Sequence, residues 1–393
     1  MRITRISTTY LEYPLSQPMY DATHFIASRG ALLVSVETDA GIVGTGEAAC
    51  FGGGWRAVKV EVEEVIAPIA CGRDPLKREQ IWETVYRITS QHSRRGVGMM
   101  ALSGVDIALW DIAGKVAGLP LHKLLGGFED SVPAYASCGF YQEGKGPSQL
   151  VEEIDDALRQ GFRAVKVKIG RNAFPSVARY SNEGSDGECR VSIEEDLKRI
   201  DAVRKHVGTG FPFMIDANGS WDPGLARSLA RAYAESNPFF LEEPVSIDNA
   251  SVGGSISRDV GVPVAGYETE FTRYGFRDLV AMQAVDFVQP DLTWAGGLSE
   301  VLRIAALAEM YGLPLVPHCF SSAICLAATA HLLAGRGIGK FLEFDVTPNA
   351  LRSSLLKEPL EVSADGRVYL SDRPGLGIEL RRETLEKYAV SSR

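Results

Sequence analysis

The hexapeptide Val165-Lys166-Val167-Lys168-Ile169-Gly170 alternates apolar and cationic side chains. A strand sends successive side chains to opposite faces, so Val165, Val167 and Ile169 share one face and Lys166 and Lys168 share the other. On an edge strand both lysines would simply be solvated. On a strand of a closed parallel barrel, the apolar face packs beneath outer helices and both ammonium groups point inward. Crowded like charges disfavour the charged form, so the pair is expected to release a proton more readily than free lysine. A lysine of that kind serves as a general base near neutral pH.

The sequence on either side favours the barrel. From about residue 132 onward, short apolar runs alternate with amphipathic helical segments. Strands are expected at 132–140, 164–169, 211–216, 239–242, 262–265, 286–289, 314–317 and 341–344, with helices at 149–160, 193–206, 223–236 and 298–311. Eight such units fit a (β/α)8-type barrel better than an open sheet. A polar insertion, 171–190, follows the lysine strand and is expected as a rim loop.

The first third reads differently. Strands are expected at 3–11, 31–38 and 42–48, the last two joined through the turn Asp39-Ala40-Gly41. Helices follow at 58–70, 76–91 and 99–116, the last broken by Gly118-Leu119-Pro120. Two loops stand out: 14–30, carrying His24 and Arg29, and 51–55, with Phe51 and Trp55 around three glycines. Gly41, Gly44 and Gly46 sit inside a hairpin with no helix after them, which excludes a dinucleotide loop. Beyond the eighth barrel strand, 360–380 is strand-like and rich in glycine and proline. The expected architecture is α/β: a capping domain over 1–130, a barrel over 131–350, and a segment over 351–393 that returns to the cap.

At 393 residues and 45% hydrophobic, the chain can bury a large core. Its formal net charge of -9 gives no support to a nucleic-acid or anionic-membrane partner. The six cysteines form no CxxC pair and read as reduced structural thiols. No apolar run is expected to span a bilayer, and the first residues alternate as a strand, with no signal-peptide core; a cytoplasmic location is expected.

In a barrel the chemistry gathers at the C-terminal strand ends. Here the third, fourth and fifth strands end in Asp216, Glu242 and Glu268, at successive intervals of 26 residues. A single acid there would serve as a helix cap. Three in register repel one another unless a cation lies between them, and an all-oxygen set selects a hard ion such as Mg²⁺. Glu243 and Glu270 compete for the same role. The sixth and seventh strands end in Asp291 and His318, where an aspartate can fix the imidazole tautomer and raise its basicity. The eighth, Leu342-Glu343-Phe344-Asp345, places Glu343 or Asp345 at the mouth, with Glu343 able to hydrogen-bond a developing oxyanion, and Asn218 stands at the rim. A carboxylate substrate held on Mg²⁺ would then offer one face of its α-carbon to Lys168 and the other to His318. Lys166 and Glu343 would help to offset the charge of the ene-diolate.

In combination, Lys166-Val167-Lys168, Asp216, Glu242, Glu268, Asp291, His318 and Glu343 resemble the enolase superfamily, specifically its mandelate racemase subgroup. The resemblance covers nearly the whole chain, departing from the family pattern at Tyr267 and in the length of the 171–190 insertion. It implies that Lys168 and His318 are the acid/base groups, that Lys166 supports Lys168, and that the 14–30 and 51–55 loops close over the substrate. It also implies homo-oligomers. Members with this Lys-x-Lys strand and His/Asp pair resemble acid-sugar dehydratases, in which His318 would help expel the β-hydroxyl to leave a 2-keto-3-deoxy acid. The polar groups His24, Arg29 and Asn218 suit a polyol. Around Tyr135-Ala136-Ser137, Glu343-Phe344-Asp345 and Pro374-Gly375-Leu376-Gly377-Ile378 the chain also looks like sugar-lactone cycloisomerases, and a racemase or epimerase shares the same enolate step. Outside this chemistry stand a Schiff-base aldolase using Lys166 or Lys168 and a metal-binding protein without turnover.

Overall fold

Within a single strand, Leu32, Val34 and Val36 enter one apolar cluster while Ala31 and Leu33 enter another. That alternation sets the cap against the barrel. The computed structural model of the protein describes residues 1–51, 54–171 and 191–390. The expected 171–190 insertion therefore lies, after Arg171, outside the described residues. β1 (Ile3–Tyr20), β2 (Phe25–Thr38) and β3 (Val43–Ala48) form an antiparallel sheet in that order. One face packs on the cap helices and the other contributes Leu11, Ala31 and Leu33 to the core shared with the barrel. The segment 14–30, expected as a loop, instead extends this hairpin: Pro14 pairs with Ser28 and, after an irregularity, Tyr20 pairs with Phe25. Polar composition hid it, because a two-stranded ribbon needs no continuous apolar face.

Gly44 and Gly46 explain the glycine pattern of β3. A Cβ at Gly46 would come within 2.1 Å of the Gly104 carbonyl oxygen on the helix Val97–Ala117, so the strand lies flat on that helix only without side chains. This helix has the length and composition of a bilayer span, contrary to expectation. Yet 83% of its most apolar window is buried between sheet and barrel, as in a core helix.

The barrel strands are β4 (Ser131–Cys138), β5 (Val165–Lys168), β6 (Phe213–Asp216), β7 (Leu241–Glu242), β8 (Val264–Gly266), β9 (Phe287–Val288) and β10 (Leu342–Asp345). They pair in parallel, and β10 closes onto β4. The strand expected at 314–317 is reduced to bridges from Leu315 to Val288 and Gly339. Pro314 and Pro317 have no N–H to give a ladder there. Val316 N still donates to Val288 O at 3.0 Å and Lys340 N to Leu315 O at 2.9 Å, which completes the ring. Tyr135, Met214, Phe240 and Val316 fill the barrel's interior below the site. β11 (Arg367–Tyr369) runs antiparallel to β4, and the chain then reaches the cap, where Val390 N donates to Tyr10 O at 2.9 Å.

Cap and barrel are joined by buried acids. Glu47 accepts from Ser322 N and Oγ (3.0 and 2.7 Å) and from Cys325 N (3.0 Å) at the start of the helix Ala323–Arg336. Asp106 accepts from Ser299 N and Oγ (2.8 and 2.6 Å) at the start of the helix Gly297–Met310. Burial pushes each of these carboxyls up to about 7. The five cysteines among the described residues are free thiols.

A second joint is made by imidazoles. The buried His331 stacks on His122, accepts from His122 N (3.1 Å) at Nδ1 and donates from Nε2 to Leu376 O (3.1 Å). Burial lowers its pKa to about 4 from the ordinary 6.5. Because the folded value lies below the unfolded one, the stabilisation is complete above pH 6.5 and is lost as pH falls towards 4, up to about 3 kcal/mol. Urea denaturation of wild type and His331→Asn at pH 7.5 and pH 4.5 should show the wild type losing more stability on acidification. Equal losses would refute this account.

Candidate active site

The β5 residues divide as a strand inside a barrel wall must. Val165, Val167 and Ile169 lie in the outer core, and Lys166 and Lys168 project into the mouth, both buried. In-register pairing sets Lys168 beside Asp216 and Asp216 beside Glu242. Lys166 Nζ stands 2.6 Å from Glu242 Oε1, 2.8 Å from Glu343 Oε1 and 3.9 Å from Asp216 Oδ2, and Lys168 Nζ is bound to Asp216 Oδ2.

This geometry corrects the expectation of readily deprotonated lysines. Burial does disfavour the ammonium of Lys168, and Lys166 adds like charge. Asp216, Glu268 and Glu242 outweigh both, and the group is held above its ordinary value. Lys166 is raised in the same way against its burial by Glu242 and Glu343. The carboxylates outnumber the ammonium groups. Burial and the charge of Asp216 raise Glu242; Glu343 is held down by Lys166 and His318 despite its burial.

Across the mouth, His318 Nδ1 lies 2.7 Å from Asp291 Oδ2, while Asp291 Oδ1 accepts from Thr293 N and Oγ1 at 2.7 and 2.6 Å. His318 Nε2 faces Glu268 Oε2 at 3.3 Å. Burial opposes a charged imidazole, but Glu268, Asp291 and Glu343 together keep it raised. Glu268 turns inward, whereas Glu270 turns to Phe271 N (2.7 Å) and Arg95 (3.6 Å). Glu243 accepts from Glu268 N at 2.9 Å. Asn218 reaches the mouth with its N on Asp216 Oδ1 at 2.8 Å.

Of the other loop residues, His24 stands at the hairpin tip, which Arg171 and Tyr141 hold to the ends of β5 and β4, and Arg29 is engaged within the protein. Arg29 is buried, pairs with Asp345 at 2.9 Å, donates to Thr347 Oγ1 at 3.0 Å and lies 3.5 Å from the Phe320 ring centroid. A guanidinium so engaged fastens β2 to the end of β10. Gln289 and Trp294 went unread in the sequence, whereas Phe51 was read only as part of a covering loop. Gln289 Nε2 donates to Glu242 Oε2 at 2.8 Å, and Phe51 and Trp294, stacked at 5.8 Å, roof the His318 side. Gln289 ends a strand like the acids, which is a usable signal; an aromatic contact between cap and barrel has none.

Among the described residues no three carboxylate, imidazole or thiolate groups converge as they stand on one point within coordinating reach. The two ammonium groups are the counter-charges. The donor chemistry of Asp216, Glu242 and Glu268 nonetheless fits a hard divalent cation: all oxygen, buried and mutually repulsive. Glu268 Oε2 and Asn218 Oδ1 are buried without a hydrogen-bond partner among the described residues.

The fold is a parallel barrel capped by an antiparallel sheet and helices, with lysines and an Asp–His pair on opposite walls and carboxylates at the strand ends between them, and known proteins of this class share the architecture. The model described as "Mandelate racemase / muconate lactonizing enzyme, N-terminal domain" matches residues 5–126, and "Enolase C-terminal domain-like" matches residues 149–384. The chain belongs to the enolase superfamily, in its mandelate racemase-like group, and is an enzyme of that superfamily. It is 35% identical over 357 residues to an arabinonate dehydratase of Saccharolobus solfataricus, covering 91% of this chain and 90% of that protein. It is 35% identical over 400 residues to a D-galactarolactone cycloisomerase of Agrobacterium fabrum, covering 99% of each. A racemase from Streptomyces coelicolor A3(2) solved with bound magnesium superposes with a TM-score of 0.86 at 31% identity, covering 99% of this chain and 100% of that one.

Removing Lys166 strands Glu242 and Glu343 as buried, unpaired acids. Lys166→Met should destabilise the protein by about 3–5 kcal/mol. The double variant Lys166→Met/Glu343→Gln should recover part of that loss in a denaturation cycle. Strict additivity would mean that the pair is not coupled.

Proposed function

We propose that the protein is a Mg²⁺-dependent acid-sugar dehydratase that removes the proton α to a carboxylate and eliminates the β-hydroxyl, giving a 2-keto-3-deoxy acid. The observation that carries this reading is the opposed pair, Lys168 on β5 and His318 beyond β9, with Asp216, Glu242 and Glu268 between them. The likeness to an arabinonate dehydratase supports the substrate class, and the magnesium-bound racemase supports the metal.

Asp216, Glu242 and Glu268 would hold the ion. When bound, Mg²⁺ supplies the positive charge that offsets the developing ene-diolate. Lys166, fixed by Glu343 at 2.8 Å, adds a second positive charge beside the substrate carboxylate. Lys168 takes the α-proton and must be neutral to do so. Asp216, which pairs with Lys168, would also be one of the ion's ligands. His318, oriented through Nδ1 by Asp291, gives a proton from Nε2 to a hydroxyl leaving on its own face.

A second reading, a lactone cycloisomerase, is favoured by one feature. Phe51, Trp294 and Phe271 form a stacked wall on the His318 side, suited to the C–H face of a sugar ring. The likeness to a D-galactarolactone cycloisomerase is in keeping with it.

Aldonates, aldarates and their lactones incubated with enzyme and Mg²⁺ in D₂O, followed by NMR, should yield a 2-keto-3-deoxy product. That product should be absent with EDTA and with Lys168→Ala. Deuterium at C2 with the skeleton intact would replace the proposal by a racemase or epimerase, and lactone rearrangement would replace it by the cycloisomerase. Mg²⁺ should also raise the thermal midpoint, by about 2.7 kcal/mol of stabilisation at a hundred times its Kd. Glu268→Gln should remove most of that gain.

A further inference from the structure

The mouth holds a second aspartate–histidine pair built like the first. In Asp291-Leu292-Thr293, Asp291 Oδ1 accepts from Thr293 N and Oγ1, leaving Oδ2 for His318 Nδ1 at 2.7 Å. In Asp21-Ala22-Thr23-His24, Asp21 Oδ1 accepts from Thr23 N at 2.7 Å and His24 N at 2.6 Å, and His24 Nδ1 lies 3.0 Å from Oδ2, 3.2 Å from Oδ1 and 2.9 Å from Thr23 Oγ1. Asp21 is buried, while the His24 side chain is 69% exposed, and its Nε2 has no hydrogen bond to any described residue. Both pairs thus fix Nδ1 and present Nε2.

The second pair is held over the Lys168 side. Tyr20 and Tyr141, just beyond β4, exchange backbone hydrogen bonds at 2.9 and 2.8 Å. Arg171, just beyond β5, donates to Asp21 O at 3.0 Å and lies 4.0 Å over the Tyr20 ring. Beyond Asp21, the charge of His24 interacts with Glu268 and then with Lys168, and that of Asp21 with Lys168.

An acid sugar bound with C2 between Lys168 and His318 would carry its C3 hydroxyl towards one wall of the mouth or the other. A C3 hydroxyl on the Lys168 face points away from His318. We propose that His24, oriented by Asp21, is the general acid for a β-hydroxyl leaving from the Lys168 face, so that dehydration proceeds with both groups lost from one side. This rests on the dehydratase reading above. The protons balance. Lys168 takes the C2 proton, and that C–H electron pair passes into the ene-diolate. The pair returns to form C2=C3 as the C3–O bond breaks, and His24 Nε2–H passes to the departing oxygen as water leaves. The enol O–H then restores the His24 proton, and Lys168 returns its proton to C3.

The test separates this role from substrate holding. With the best acid-sugar substrate, His24→Asn should lower the dehydration kcat about a hundredfold or more. Exchange of the C2 proton in D₂O needs only Lys168 and should persist within a few-fold. Elimination from the 3-deoxy-3-fluoro analogue, whose leaving group needs little protonation, should also persist within a few-fold. Asp21→Asn should show the same pattern in weaker form, and an unchanged thermal midpoint would report an intact hairpin. Unchanged dehydration by His24→Asn would overturn the assignment while leaving the dehydratase reading standing. Parallel loss of dehydration, exchange and fluoride elimination would overturn it in favour of a binding or structural role. If the wild type dehydrated no acid sugar, both readings would fall.

Discussion

One buried ammonium governs the site. Lys166 is fully enclosed, and its Nζ is shared by Glu242 and Glu343 at 2.6 and 2.8 Å, with Asp216 farther off. A charge taken out of water persists only among opposite charges and fixed hydrogen bonds. The barrel supplies these by ending neighbouring strands in acids, and the acids tolerate one another only because the lysines are there. Gln289 then occupies Glu242 Oε2, and Cys319 N occupies Glu343 Oε2 at 3.0 Å. Each carboxylate keeps one oxygen on a fixed donor and turns the other to the centre, a preorganised field of the kind that stabilises developing charge.

The same economy recurs in three Asp-x-Thr turns. Asp21, Asp291 and Asp345 each use Oδ1 to close a turn onto a threonine two residues later and offer Oδ2 to a cationic or imidazole group. For Asp21 and Asp291 that group is a histidine at the mouth. For Asp345 it is Arg29, which fastens the cap. A short acidic side chain that has already spent one oxygen on its own backbone has few rotamers left, so its second oxygen is aimed without further support.

Much of this was legible in the chain. The alternation in 165–170 separates the faces correctly, and Asp216, Glu242, Asp291, His318 and Glu343 could be read as strand-end groups because a parallel barrel puts those ends on one rim. The direction of the lysine shifts could not be read, since the neighbours of Lys166 lie 76 and 177 residues away and their number decides the sign. The pairing of Arg29 with Asp345 could not be read either, because nothing near Arg29 in sequence hints at it. The long hairpin and the near-vanished strand at Leu315 were misjudged for one reason. Apolar runs report burial of side chains, whereas backbone pairing depends on which N–H groups find carbonyls.

The stapling of the hairpin tip has a counterpart at the other end of the mouth. On the Lys168 side, parting cap from barrel would break the paired Tyr20–Tyr141 backbone hydrogen bonds and the Arg171 contact. On the His318 side it would break the Ala49 N to Thr293 O bond at 3.0 Å, the hydrogen bonds of Glu47 with Ser322 and Cys325, and the ring contacts of Phe51 with Trp294, Phe320 and His318. Both walls are thus tied to one three-stranded sheet, through β1 on one side and the end of β3 on the other. A displacement of that sheet would be felt at Lys168 and at His318 together.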